Sequence, residues 1–332
     1  MNSEKIKLAS IGLGWWGGML ADAAGRSGTC EIISGFARNL DTRKVFSEKY
    51  SCNSAESLDQ ILKDSSIDGL LVATPHSTHL DIISQAASAG KHIFIEKPLT
   101  LTCEDAREAI KITEEAGVVL QVGHHRRRCS ANRKIKSFID SGELGVLHQM
   151  QANLSLAGGL EPRPGWRNDP EESPAGSMCG LGVHMVDNLQ FLAGPAKRVS
   201  AFSKKLLSKT NLDDVTSFII EYESGPLGYI GTTFVVPKIC ETSAFGTGMN
   251  AYSDLEGTKL YITKAGDDKK EEIELDPIDP LSEQLSDFAS CIRGEKTIET
   301  GGPEGLEVVA VLQSVIESSR TGKAIEVSTF RD

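Results

Sequence analysis

Two side chains in this sequence of 332 residues could move a proton during a reaction, Lys97 and His184. Lys97 lies in Glu96-Lys97-Pro98, directly after the apolar run 93–95, so we predict that it lies at the carboxyl end of a strand. A lysine has a pKa of about 10.4 in water, and partial burial lowers that pKa toward the working range of an acid catalyst. Taken alone, a solvated surface lysine explains the same residue equally well.

The segment 182–187 is typical of the start of a helix and places His184 three residues before Asp187. That spacing puts both side chains on one face of a helix. Because a histidine titrates near neutral pH, it could pass a proton to or from a hydroxyl, with the carboxylate of Asp187 orienting the imidazole. A histidine satisfied by a capping carboxylate is the alternative interpretation.

A glycine-rich turn follows the first apolar run, residues 6–11. In a dinucleotide site the first glycine permits a tight turn, the second lets the backbone approach the pyrophosphate, and the third lets the helix pack on the strand. Amide N–H groups at the start of the helix then face the phosphates. A chance match in a loop is the alternative, but the strand before the turn disfavours it. The turn reads Gly12-Leu13-Gly14-Trp15-Trp16-Gly17.

The end of the second predicted strand indicates which nicotinamide cofactor fits. In many dinucleotide sites an acidic residue about 20 positions after the glycines binds both ribose hydroxyls. Here the strand ends at Ala37 and Arg38. Ala37 cannot bind the diol, whereas Arg38 can pair with a 2′-phosphate. We therefore predict a preference for NADP(H). NAD(H) is the alternative, because Asp41 follows closely and could reach the ribose. For Arg38 itself, the alternative is an ordinary surface arginine.

Short β-branched runs alternate with helical segments from residue 6 to about 122. This alternation predicts right-handed crossovers and a parallel sheet with helices on both faces, where ligands bind at the carboxyl ends of the strands. The fold class predicted for residues 1–124 is α/β, a Rossmann domain. Its predicted strands are 6–11, 31–37, 67–73, 93–95 and 118–122, and its predicted helices lie near 41–50, 56–63, 77–90 and 103–117.

After Gly142 the chain has longer alternating runs without helices between them, which predicts a mostly antiparallel sheet. A Pro-, Gly- and charge-rich stretch over 158–180 interrupts it, and loops of that length are usually functional or mobile. We predict a second domain over 125–332 that ends in two amphipathic helices, at about 281–293 and 303–321. Its predicted strands are 146–156, 198–206, 215–222, 227–236, 259–263 and 271–275.

Composition limits the class of partner. Lys plus Arg number 35 and Asp plus Glu number 46, so the net charge of −11 argues against nucleic acid or an anionic membrane surface. Without a signal pattern or an apolar stretch of spanning length, we predict a cytoplasmic protein that acts on a small molecule. The seven scattered cysteines predict neither disulfides nor zinc. His79, His124 and His125 form no ligand pattern with a carboxylate, so we predict no metal site.

Together these residues resemble the glucose-fructose oxidoreductase, inositol dehydrogenase and MocA family of pyridine-nucleotide oxidoreductases, over nearly the whole chain. The resemblance implies a Rossmann domain and a C-terminal α/β domain whose open antiparallel sheet often forms an oligomer interface, hence a homodimer or homotetramer. It implies hydride transfer between NAD(P) and a secondary hydroxyl or carbonyl of a sugar, cyclitol or related polyol. The matching segments are the glycine turn, Ala73-Thr74-Pro75-His76-Ser77-Thr78-His79, Gly90-Lys91-His92 leading into Glu96-Lys97-Pro98, and Leu181-Gly182-Val183-His184-Met185-Val186-Asp187.

The resemblance also implies roles for single residues. Lys97 would lie beside the nicotinamide and protonate or polarise the substrate oxygen, His184 would be the second acid/base group, and Asp187 matches the acidic residue that follows it. The Lys97–Pro98 peptide is expected to be cis. Trp166-Arg167 looks like a pair that reaches over the cofactor and substrate; a buried Trp with an exposed Arg is the alternative. The expected cofactor contacts are Gly12, Gly14, Trp15, Trp16, Gly17, Ala37, Arg38, Thr74, Pro75, His79, Glu96, Lys97, Trp166 and Arg167.

One position departs from the family pattern. Many sugar and inositol dehydrogenases of this family carry an aspartate four residues before the histidine, where this chain has Gly180. Cys179 is not a substitute, because a thiol with a pKa of about 8.5 is mostly protonated at neutral pH. The departure leaves open another substrate, a slower reaction, or a nucleotide-binding sensor or regulatory protein without turnover. Arginines 126–128, 163 and 167 could admit an acidic or phosphorylated sugar, although arginine runs are more often solvated faces or interface contacts.

Overall fold

A computed structural model describes residues 4–162 and 165–332, so Arg163 lies outside the described residues. The chain divides into two compact units. Unit 1 comprises Met1–His125 and Asp279–Leu306, and unit 2 comprises Arg126–Ile278 and Glu307–Asp332. The sequence-based division has one boundary near residue 124 and continues the second domain to residue 332. The compact units differ from it because a late segment of the chain joins unit 1.

Unit 1 contains a six-stranded parallel sheet of order β3-β2-β1-β4-β5-β6. The order reverses between β1 and β4, and at such a point the carboxyl ends of the strands leave a crevice for a ligand. The structure also has a two-residue strand, β3, that was not predicted from the sequence. The elements up to residue 122 are β1 (Ile6–Ile11), α1 (Trp15–Ser27), β2 (Cys30–Phe36), α2 (Leu40–Tyr50), β3 (Asn53–Ser54), α3 (Leu58–Lys63), β4 (Gly69–Val72), α4 (His79–Ser88), β5 (His92–Ile95), α5 (Cys103–Ala116) and β6 (Leu120–Val122).

The rest of the chain adds a nine-stranded sheet of order β14-β13-β12-β11-β7-β10-β9-β8-β15. Its neighbours pair antiparallel except β7 and β10, which are parallel. The predicted α/β fold class with a second, mostly antiparallel sheet is thus confirmed. The elements are α6 (Ser130–Asp140), β7 (Leu147–Ser155), α7 (Val183–Ala193), β8 (Ala196–Lys204), β9 (Val215–Tyr222), β10 (Leu227–Thr233), β11 (Ile239–Gly246), β12 (Met249–Asp254), β13 (Lys259–Lys264), β14 (Glu271–Ile273), α8 (Pro280–Ile292), α9 (Gly302–Thr321), β15 (Ile325–Glu326) and α10 (Ser328–Arg331).

Helix α8 belongs to unit 1 because it covers one face of the parallel sheet. Leu285 and Phe288 lie in one buried cluster with Leu8 of β1 and Phe94 of β5, and the rings of Phe94 and Phe288 are 6.0 Å apart. A sheet must bury its apolar face against another layer, so this part of the core is complete only when α8 is in place.

Nowhere in the described ranges is a helix long and apolar enough to cross a membrane.

Asp279 starts this returning segment as the cap of α8. Its carboxylate accepts hydrogen bonds from the backbone N–H groups of Leu281 and Ser282 and from Nε of Arg26 at 2.8 Å. Burial raises the pKa of Asp279, but the hydrogen bonds from Arg26 and Ser282 outweigh that effect and hold the pKa at about 2. The ionised carboxylate therefore stabilises the start of α8.

Candidate active site

The glycine turn has the steric pattern of a dinucleotide site. Gly12 has φ +88°, and a Cβ on it would lie 2.4 Å from the carbonyl oxygen of Ala73. A Cβ on Gly17 would lie 2.1 Å from the carbonyl oxygen of Gly12, whereas one on Gly14 would meet nothing within 4 Å. Packing therefore requires glycine at the first and third positions, and the middle position faces open space. A phosphate group fits there, next to the first N–H groups of α1.

Trp15 and Trp16 differ in their surroundings. The side chain of Trp15 is 74% exposed, while Trp16 packs against the core of unit 1. Their ring centroids are 5.3 Å apart, and the ring of His125 lies 5.7 Å from that of Trp16. Trp15 is therefore the indole of the two that is more accessible to a molecule at the turn.

The end of β2 presents Arg38 at the surface, together with Asp41 in the first turn of α2. Arg43 lies on the same helix, and its Nη1 donates to the carbonyl oxygens of Ala37 at 3.3 Å and Glu56 at 3.4 Å. This arginine fixes the backbone beside Arg38, and it was not among the residues predicted from the sequence. Its signal would have been a second arginine five residues after Arg38.

The loop after β4 carries Thr74 and Pro75, both half-buried. Thr78 Oγ1 donates to the hydroxyl of Thr74 at 2.8 Å and to the carbonyl of Pro75 at 2.7 Å. His79, one of the expected cofactor contacts, is fully buried. Its ring nitrogens face backbone carbonyls of this loop and of the loop after β5. The predicted contact of His79 with a cofactor stays a prediction.

Lys97 follows β5, as predicted, and is half-buried. The Lys97–Pro98 peptide is cis, which confirms that expectation. Glu96 is buried, and a Cβ on Gly123 would lie 2.7 Å from its Oε1. The absence of a side chain at position 123 therefore leaves room for the Glu96 carboxylate beside Lys97.

In unit 2, His184 lies in the first turn of α7 and is buried, as is Asp187. Arg127 holds both carboxylate oxygens of Asp187: its Nε donates to Oδ2 at 3.0 Å, and its Nη2 donates to Oδ1. The carboxylate predicted to orient the imidazole thus forms a bidentate ion pair with an arginine. Its role toward His184 stays a prediction.

Gly180 lies in a π-helical turn, Met178–Gly182, that leads into α7. A Cβ on Gly180 would lie 3.1 Å from Cζ of Phe234, and a Cβ on Gly159 would lie 2.2 Å from Cβ of Phe234. The phenyl ring is therefore packed between two glycines. It occupies space that a larger side chain at position 180 would need.

Arginines 126–128 are not a solvated run. Arg127 and Arg128 are buried, and Arg126 donates to the sulfur of Cys240 at 3.0 Å. Arg167 is exposed, and its guanidinium lies 4.5 Å from the ring centre of half-buried Trp166. The Trp166–Arg167 pair is thus a cation–π stack, and its contact with a cofactor stays a prediction.

The structure gathers the glycine turn, the Thr74–Pro75 loop and Lys97 at the carboxyl ends of β1, β4 and β5 in unit 1. His184, Asp187 and the Trp166–Arg167 pair belong to unit 2. Within the parts of the chain that the structure describes, no cluster of three His, Cys, Asp or Glu side chains could hold a metal ion.

Comparison with known proteins agrees with this geometry. Residues 6–124 match the model of an oxidoreductase family with an NAD-binding Rossmann fold, and residues 132–250 match the Gfo/Idh/MocA C-terminal domain. A 1,5-anhydro-D-fructose reductase of Ensifer adhaerens is 30% identical over 90% of this chain and 92% of its own length. A scyllo-inositol 2-dehydrogenase (NADP(+)) of Bacillus subtilis is 24% identical over 97% of this chain and 96% of its own.

Among solved structures, a protein of Desulfitobacterium hafniense described as an NADPH-dependent oxidoreductase superposes with a TM-score of 0.95. It is 28% identical, and the match covers 99% of this chain and 100% of that chain. The fold, the glycine turn and these matches lead to one conclusion. The chain belongs to the Gfo/Idh/MocA family of NAD(P)-dependent oxidoreductases.

Proposed function

We propose that this enzyme transfers a hydride between a nicotinamide cofactor and a secondary hydroxyl or carbonyl carbon of a sugar, cyclitol or related polyol. The observation that carries the proposal is the open position at Gly14, on the same edge of the sheet as Lys97. The names of two relatives, an anhydro-sugar reductase and an inositol dehydrogenase, support this substrate class.

The bound nicotinamide would supply the hydride acceptor or donor, and the chain supplies the proton chemistry. A secondary alcohol that loses hydride must also lose its hydroxyl proton, so a group within hydrogen-bond reach of that oxygen is required. We assign this role to Nζ of Lys97, which donates the proton in the direction of reduction. His184 is the second acid/base group. The glycine turn, Thr74, Pro75 and Glu96 would hold and orient the cofactor.

Measurement of turnover tests these assignments. Purified protein is assayed at the nicotinamide absorbance band with a panel of sugars, anhydro-sugars and cyclitols, and we expect at least one member to react. Lys97→Ala and His184→Ala should each lower kcat at least a hundredfold, whereas Lys111→Ala, on the exposed face of α5, should not. Full turnover by Lys97→Ala would remove Lys97 from the mechanism. Cofactor binding without any turnover would favour the sensor alternative, which no contact described above supports.

For the cofactor we propose a preference for NADP(H), held through its 2′-phosphate by Arg38. A charge-assisted hydrogen bond of this kind contributes about 1.5–3 kcal/mol, or roughly 10- to 100-fold in affinity. Titration with NADPH and NADH, followed by quenching of Trp15 and Trp16 fluorescence, should show this preference. Arg38→Ala should weaken NADPH and leave NADH unchanged, with Trp15→Phe as the check on the signal. NADH binding equal to NADPH in the wild type would contradict the role of Arg38.

We also propose a homodimer or homotetramer that forms through the open face of the nine-stranded sheet. Phe202, Ile219, Leu227 and Tyr229 are exposed on β8, β9 and β10, and Ile219 lies opposite Tyr229 in the register. Exposed apolar patches of this kind mark interaction surfaces. Light scattering after gel filtration should give a dimer or tetramer, and Ile219→Asp should give monomers. A monomeric wild type would contradict the proposal. The predicted cytoplasmic location stays a prediction.

A further inference from the structure

A buried histidine joins the two loops that surround Lys97. His79 Nδ1 lies 3.1 Å from the carbonyl oxygen of Pro98 and 3.0 Å from that of Leu99. Its Nε2 lies 3.4 Å from the carbonyl oxygen of Thr74, and the ring is fully buried. One side chain thus contacts the backbone after β4 and the backbone after β5.

The two acceptors at Nδ1 fix the protonation of that nitrogen. Carbonyl oxygens only accept hydrogen bonds, so the nitrogen between Pro98 and Leu99 must carry its proton. Nδ1–H therefore donates to both carbonyls, and Nε2 lies within hydrogen-bond distance of the carbonyl of Thr74. A group with this proton bound in place cannot act as a base from Nδ1.

The same contacts hold the backbone on either side of Lys97. The N–H of Glu96 donates to the carbonyl of Val72 at 2.9 Å, and the carbonyls of Pro98 and Leu99 accept from His79. Residues 93–96 and 98–100 are buried, and Lys97 alone in this stretch is half-buried. Lys97 is therefore the accessible residue between two anchored stretches of backbone.

We propose that His79 is a positioning residue that sets the placement of the Lys97 amine through the carbonyls of Pro98 and Leu99. Because its ring is fully buried, it acts through these backbone contacts. The proposal rests on the proposed function insofar as Lys97 is the proton donor, but the placement itself can be measured without any substrate. Misplacement of a reacting group by about 1 Å can cost roughly a hundredfold in rate.

The first experiment compares the chemical reactivity of Lys97 among variants. His79→Leu removes the donor, whereas the side-chain amide of His79→Asn places an N–H near the position of Nδ1. Acetylation with limiting acetic anhydride, followed by peptide mass spectrometry, gives the rate at Lys97 relative to exposed Lys111. We expect that relative rate to change at least threefold in His79→Leu and to return toward wild type in His79→Asn. An unchanged rate in folded His79→Leu would overturn the proposal.

If His79→Leu does not fold, His79→Gln replaces it, because the longer amide reaches the Nε2 side and leaves Pro98 and Leu99 without a donor. The matched control is His92→Leu at the other end of β5, where Nδ1 of His92 accepts from the N–H of Val119 at 3.0 Å. That control should lower stability without changing the reactivity of Lys97. An equal change in the control would assign the effect to general loosening and would refute the specific role.

The second experiment uses turnover with any polyol that reacts in the panel. His79→Leu should lower kcat 10- to 100-fold, while its dissociation constant for NADPH stays within threefold of wild type. The kcat of His79→Asn should be at least tenfold higher than that of His79→Leu. A loss of NADPH affinity with unchanged kcat would instead place His79 in the cofactor site. If no polyol reacts, the proposed function fails, and the labelling result still decides the role of His79.

Discussion

Replacement of Arg127 by methionine should destabilise unit 2 strongly, because it removes the guanidinium that binds both oxygens of the buried Asp187 carboxylate. The side chains of Arg127 and Asp187 are only 6% and 1% exposed, and the guanidinium binds both oxygens. Loss of one partner of a buried ion pair costs about 3–5 kcal/mol. Arg127 also lies 5.2 Å from the ring centre of Phe191, so some cation–π energy is lost as well.

Thermal and urea unfolding, followed by circular dichroism, measure this cost. A loss of that size should lower the Tm by about 10 °C for a unit of this size. Lys197→Met is the matched control, since Lys197 and Glu221 form an ion pair at 2.9 Å that is largely exposed. Such a pair contributes under about 1 kcal/mol, so the control should lower the Tm by only a few degrees.

The double variant Arg127→Met/Asp187→Leu separates the charge effect from the packing effect. Two apolar side chains of similar size leave no buried charge, and such replacements are often neutral or stabilising. The double variant should therefore be more stable than Arg127→Met alone. If Arg127→Met behaved like the exposed control, or if the double variant lost the sum of both single costs, the ion pair would not be the source of the stability.

Three further substitutions test local geometry. Gly12→Ala should lower both stability and NADPH affinity, because its Cβ would collide with backbone, whereas Gly14→Ala should lower NADPH affinity alone; unfolding curves and titrations separate the two. Asp279→Ala should lower the free energy of unfolding by about 1 kcal/mol at pH 7. The pKa shift from 3.8 to about 2 would correspond to a larger loss, but solvent screens a side chain that is 42% exposed. A pKa that is lower in the folded state contributes stability only above the unfolded pKa. The stability lost in Asp279→Ala should therefore shrink as the pH falls from about 4 toward 2, as measured by urea unfolding. A loss that stays constant with pH would contradict this role of Asp279. Gly180→Asp should lower the free energy of unfolding by about 1–3 kcal/mol, because the new side chain overpacks against Phe234. A double-mutant cycle with Phe234→Ala should show a coupling energy of about 1 kcal/mol. A coupling energy of zero would contradict this explanation.

The fold of unit 1 was predictable because its strands are apolar and its turns carry their own signals. In unit 2 the missed strands β11 and β12 bury small or polar side chains, among them Thr242, Ala244, Ala251 and Ser253. Such residues give no apolar alternation, and the pairing of these strands with their neighbours defines them instead.

Residue types and spacing led to Lys97 and to the glycine turn, since both follow directly from a strand. The partners of Asp187 and His79 could not be predicted in that way. Arg127 is distant in sequence from Asp187, and His79 binds carbonyl oxygens, which every residue carries. Pairing of this kind is set by tertiary packing, which local sequence does not encode.

The return of α8 to unit 1 has a consequence for how this protein is synthesised. The ribosome exposes residues 1–124 long before Leu285 and Phe288 are made, so the apolar surface that these two side chains cover stays exposed until then. Exposed apolar surface of this kind makes nascent intermediates prone to aggregation. A gene fragment that encodes only the first 124 residues would lack this cover, so the dinucleotide unit cannot be exchanged between proteins as one continuous piece.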